Sequence, residues 1–61
     1  MITHEIGTVV ECTTVKTAGF DLDNITIGKQ YSVLNKEFDK IVILDDKGTR
    51  QEFYSFRFKK V

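Results

Sequence analysis

Branched and aromatic residues alternate with polar ones over short stretches of this 61-residue chain. That period of two belongs to strands. Residues 8–15 read as a long first strand, with Ile6, Val10 and Cys12 on its inner face. Glu11 and Thr13 face water, sharing that side with Val9 and Val15. The alternation then breaks over residues 17–24, where Gly19, Asp21, Asp23 and Asn24 give loop chemistry. It resumes over residues 25–34, with Ile27, Tyr31 and Val33 of one parity assigned to the core and Gly28 marking a turn or bulge. Residues 35–37 read as a polar connector and residues 38–45 as the next strand. Asp45, Asp46, Lys47 and Gly48 form the strongest turn signal. A fourth strand follows over 49–54, then a short turn near Ser55 and Phe56, then a last strand over 58–61. No stretch of ten residues keeps a helical period. The pattern predicts an all-β single domain over residues 1–61, a small five-stranded barrel whose closure would remove exposed edges.

Composition narrows the function classes. The chain carries one Cys, so no internal disulfide can hold it, and its core must. Such a short domain buries only about 60% of its unfolded surface, and one core supplies roughly 3–5 kcal/mol. A pocket of convergent catalytic groups would use up much of that core, so no enzyme is expected and no catalytic residue is nominated. The longest clean apolar run, residues 41–44, is far below the roughly 20 residues of a membrane span. His4 and Glu5 interrupt any secretory apolar region after Met1. Nine basic and nine acidic residues balance to a net charge of zero, which disfavours both a basic nucleic-acid arm and an acidic DNA mimic. These features point to a cytoplasmic module with no membrane partner.

Val10-x-Cys12, the 25–33 segment Ile-Thr-Ile-Gly-Lys-Gln-Tyr-Ser-Val, the Asp45-Asp46-Lys47-Gly48 hairpin and the closing Arg57-Phe58 resemble small SH3-like barrel proteins common among bacteriophage open reading frames. The resemblance spans about five-sixths of the chain, and its motifs are architectural. It implies a five-stranded SH3-like barrel with one short 3-10 turn near Ser55. It also implies a phage accessory protein that works in the bacterial cytoplasm by binding and modulating a host or phage protein. Eukaryotic signalling SH3 domains grip proline-rich peptides with a Trp pair and a Pro, and this chain has neither residue type.

Several residues were weighed for chemistry. Cys12 and His4 cannot supply the four ligands of a zinc site; they read as a buried apolar residue and a residue at a frayed terminus. Asp21 and Asp23, like Asp45 and Asp46, lack the ligand spacing of a calcium loop, and Asp45 and Asp46 read as turn residues. No cofactor or metal is expected. Phe20, flanked by Asp21 and Asp23, is either a partner contact or, with Leu22, a lid folded onto the barrel end. Leu34, Val42 and Leu44 share an outward parity beside Lys40, opposite the inward Ile41 and Ile43. They form either a partner or self-association face or a surface covered by a barrel corner or the long loop.

The C-terminal run gives the alternative reading. Phe53, Tyr54, Phe56 and Phe58 interleave with Arg50, Arg57, Lys59 and Lys60, a composition suited to single-stranded nucleic acid. Phe53 or Tyr54, and Phe58, are expected in the core, leaving Phe56, Arg57, Lys59 and Lys60 as the nucleic-acid set. Residues 31–61 hold seven basic and five acidic side chains and residues 1–30 two and four, a weak dipole rather than a basic face. A homo-oligomer or structural subunit, paired through strand edges, is the third reading.

Overall fold

A computed structural model describes residues 4–61. The chain is all-β apart from one 3-10 turn. Its strands are β1 (Val9–Cys12), β2 (Lys16–Thr17), β3 (Phe20–Asp21), β4 (Gln30–Ser32), β5 (Asn35–Glu37), β6 (Lys40–Leu44) and β7 (Arg50–Tyr54). The 3-10 turn η1 (Ser55–Arg57) then leads into β8 (Phe58–Lys60). The ladders form three antiparallel sheets, ordered β4-β1-β8, β2-β3 and β5-β6-β7, and do not run on into one closed barrel. The interruption lies at residues 33 and 34. Val33 N–H bonds to the Thr8 carbonyl in the first sheet, and the next amide, Leu34, bonds to Val42 in the third.

Three expected elements are redrawn. The long first strand stops at Cys12, because the next position of its pairing with β8, Arg57, lies in η1, and the Arg57 carbonyl there takes both the Thr13 amide and the Thr13 hydroxyl. The supposed loop after it contains the β2-β3 hairpin, with Lys16 opposite Asp21 and Thr17 opposite Phe20. The polar connector at 35–37 is a true strand, paired residue for residue with β6. Polar side chains hid it, since edge pairing is made by backbone groups. Phe38, expected to begin the next strand, sits in the two-residue turn between β5 and β6.

The core lies between the two three-stranded sheets. Val10, Cys12, Tyr31 and Phe58 come from one, Ile41, Ile43 and Phe53 from the other, and Ile25 and Val33 from the connections. Phe58 is its hub, meeting Tyr31 and Phe53 edge to face at centroid distances of 6.0 and 6.2 Å. Two residues assigned to the inner face are instead exposed: Ile6 at 56% and Ile27 at 59%. Each precedes a glycine in a tight turn, closed by Thr8 N–H to Glu5 O and by Lys29 N–H to Thr26 O. Gly7 and Gly28 take φ of +88° and +87°, open to glycine without a Cβ clash. Strand parity does not carry across such a turn, so Ile25 is buried in place of Ile27.

His4 is the largest departure from expectation. It is 2% exposed rather than frayed, and its Nε2–H donates to the carbonyls of Ser55 and Phe58 at 3.3 and 3.2 Å. Both partners are acceptors, so the proton sits on Nε2. The N-terminal segment is thereby fastened to η1 and β8.

The 45–49 turn does more than reverse the chain. The buried Asp45 carboxylate accepts from the amides of Lys47 and Thr49, both at 2.9 Å, and from the Asn24 side chain at 3.2 Å. Asp46 reaches across to the first sheet. It accepts from Lys29 Nζ at 2.7 Å, Thr26 Oγ1 at 2.6 Å and the Tyr31 hydroxyl at 2.9 Å. The Lys29 ammonium, with the two hydroxyls, holds the Asp46 carboxyl down at about 2. Asp45 is also lowered, chiefly by the Thr49 amide.

Both anchors give predictions. A carboxylate whose folded pKa is depressed stabilises the fold above its unfolded value of about 3.9 and loses that contribution as the pH falls. Stability should therefore decline as pH drops from about 4 through about 2. Asp46→Asn should be less stable at neutral pH and show a shallower acid slope. Urea titrations across this range measure both, and an unchanged slope would exclude the clamp. His4→Phe, which takes the side-chain donor from the Phe58 carbonyl and leaves Ser55 O only its bond from the Phe58 amide, should lower stability by about 1–3 kcal/mol in the same assay.

Candidate functional site

The alternation of β7 continues through η1 and sorts six consecutive residues. Phe53, Ser55, Arg57 and Phe58 turn inward; Tyr54 and Phe56 turn out. Ser55 pins the corner, because its amide and hydroxyl both donate to the Asp39 carbonyl at 2.7 Å. The two outward rings then lie stacked, 5.5 Å apart with planes 17° from parallel. Lys40, opposite Tyr54 in the β6-β7 ladder, holds its ammonium 5.1 Å from the Tyr54 ring centre.

A groove of about 290 Å³ opens beside these rings, lined by Leu22, Asn24, Gln51, Glu52, Tyr54 and Arg57. Arg57 is 6% exposed, donates from Nη1 to the Lys16 carbonyl at 2.5 Å, and sits 5.2 Å from the Phe56 ring centre. Glu52, opposite Val42, lies diagonally across β6 from Glu37, opposite Lys40, and the nearby Glu52 carboxyl raises the Glu37 pKa. Phe38, in the adjoining hairpin turn, is fully exposed at a φ of +47°. That region disfavours a bulky side chain.

The residues singled out from sequence fall in different places. Phe20 and Asp21 lie on the exposed β2-β3 hairpin, where Asp21 pairs with Lys16 at 3.3 Å. Asp23 pairs loosely with Lys47 at 3.4 Å. Leu22 supplies the lid: it packs against the core with Val15, while Phe20 stays in solvent. Leu34 and Val42 are half-buried and Leu44 is exposed. Cross-strand neighbours divide that face, with Asn35 and Glu52 beside Val42 and Arg50 beside Leu44.

The nucleic-acid set is not one surface. Phe56 is exposed, whereas Arg57 is buried on the groove floor with its Nη1 donating to the Lys16 carbonyl. Lys59 leans toward Glu11 on β1 at 3.7 Å, and Lys60 is exposed on the same strand. Cys12 is buried, its thiol directed at the Thr14 carbonyl, and burial raises its pKa, so it stays protonated at neutral pH. Among the described residues, no group of three or more His, Cys, Asp or Glu could hold a metal, and no helix is long and apolar enough to cross a membrane.

Sequence reading missed Tyr54, Lys40 and Leu22 as one neighbourhood. The only signal was the ring at every second position from 54 to 58, interrupted by Ser55 and Arg57. Phe38 yields a prediction. Asn tolerates left-handed backbone where Phe does not, so Phe38→Asn should raise stability by up to about 1 kcal/mol, read in urea unfolding. Loss of stability would mean that the ring packs somewhere in solution. No protein family, curated protein or solved structure matches this chain.

Proposed function

We propose that the chain is a non-catalytic protein-interaction module that docks through the corner formed by η1, the start of β6 and the Leu22 segment. One observation carries this reading: the stacked rings of Tyr54 and Phe56 stay exposed rather than sealing against the core, and Tyr54 lines a groove. Exposed aromatic area with a nearby concavity is what interface anchors use. Phe38 adds an exposed ring on disfavoured backbone, a feature that stability alone gives no reason to keep.

The SH3-like reading belongs to the same proposal. It is supported by the order of elements: a hairpin excursion after β1, the 30–37 segment shared between two sheets, and one 3-10 turn before the final strand. With the phage resemblance, the module acts in the bacterial cytoplasm on a host or phage protein. Single-stranded nucleic acid is the weaker reading, because Lys40 at the Tyr54 ring has the carboxylates of Glu37 and Glu52 on the same sheet beside it.

Affinity capture from bacterial lysate tests the proposal. A stoichiometric protein should be retained after nuclease treatment, be lost with the Tyr54→Ala/Phe56→Ala double variant, and persist with Leu44→Lys. Both rings are exposed, so the double variant should fold. Retention by the double variant would remove this corner as the site. Loss on nuclease or high salt would favour nucleic acid.

A further inference from the structure

The groove contains a buried cation with unused hydrogen-bonding capacity. A guanidinium has five N–H donors and no acceptor. Arg57 is more than nine-tenths buried, yet the single hydrogen bond of its guanidinium among the described residues goes to the Lys16 carbonyl. The five ion pairs among those residues all use lysines, and no carboxylate meets the guanidinium. His4 Nδ1 is the one fully buried side-chain nitrogen without a partner among the described residues, so the unbonded Arg57 N–H groups reach solvent, where a ligand can meet them, and the Phe56 ring lies 5.2 Å from the guanidinium. Glu52 lines the same groove, but no ion pair joins it to the guanidinium.

We infer that the groove receives an aspartate or glutamate side chain of an extended partner peptide, its carboxylate bound by Arg57 and an adjacent apolar residue packed on Leu22 and Tyr54. This rests on the protein-docking reading and names what the docked segment must contain. Charge complementarity selects this occupant. The charged groups lining the groove are Arg57, Lys40 and Glu52, a net single positive charge in a chain that is neutral overall. Planar guanidinium donors match a carboxylate in a two-pronged arrangement. Size agrees as well: about 290 Å³ is at or below the lower limit of small-molecule sites, and suits inserted side chains better than a whole cofactor. The Asn24 and Gln51 side chains on the walls supply amide donors and acceptors for a peptide backbone.

A random heptapeptide library displayed with its C-terminus fused, so that no terminal carboxylate is free, provides the probe. Enriched peptides should share an Asp or Glu next to an apolar residue and shift the amide signals of Leu22, Tyr54 and Phe56. Resynthesised with Gln or Asn for the acid, they should bind wild-type protein at least tenfold more weakly. Arg57→Gln should reduce that ratio to below threefold while still binding the apolar part. Should Arg57→Gln fail to fold, the acid-to-amide comparison on the wild type decides by itself. Peptides that shift the same signals with no preference for the acid would overturn this inference and leave the docking reading standing. A library that yields no peptide at these residues would overturn both.

Discussion

One carboxylate joins the two halves of this domain. The sheets share a core, but apolar contact is non-directional and does not fix how two small sheets are turned relative to each other. Asp46 supplies the direction. It leaves a turn of the β5-β6-β7 sheet and gathers donors from Thr26, Lys29 and Tyr31, the stretch that enters β4 of the other sheet. The Tyr31 hydroxyl also accepts from the Thr26 amide, and Lys29 lies over the Tyr31 ring, so the same residues hold one another. Asn24 bonds the Asp46 amide through its carbonyl and Asp45 through its side chain. The Leu22–Asn24 wall of the groove is thus set by the same cluster that aligns the sheets. Fold and candidate site are not separable modules in a chain this short.

The other wall follows from a conflict resolved within six residues. Phe53 and Phe58 are needed in the core, and the 3-10 turn between them must place Ser55 inward to bond Asp39. Tyr54 and Phe56 are left outside, and Arg57 is carried inside with its charge. Burial of Arg57 is therefore partly a consequence of geometry. No carboxylate forms an ion pair with it, whereas ten charged residues among those described pair with one another elsewhere.

Much of the fold was legible because strands report themselves through alternation. Val10 and Cys12, Tyr31 and Val33, and Ile41 and Ile43 all lie buried as their parity requires. The Asp45–Gly48 turn and the irregularity at Ser55 were readable from turn chemistry. What could not be read depended on backbone or on distant partners. Ile6 and Ile27 sit in turns that reset the alternation. The 35–37 strand has no apolar face of its own. His4 is buried because carbonyls more than fifty residues away accept its proton, a fact no local window contains. Of the candidate site, Phe56 was legible as an exposed ring. The groove was not, since it assembles Leu22, Asn24, Gln51, Tyr54 and Arg57 from segments distant in the chain.

The staple from His4 to Ser55 and Phe58, together with the β1-β8 ladder, has a temporal consequence. β1 cannot complete its sheet until β8, the final strand, is available. Contacts of such long sequence separation form slowly, because a large loop must close before they repay its entropy. During synthesis the rings, the lid and the guanidinium therefore exist as unconnected pieces until β8 is delivered and pairs with β1. The proposed docking corner is assembled only with that pairing.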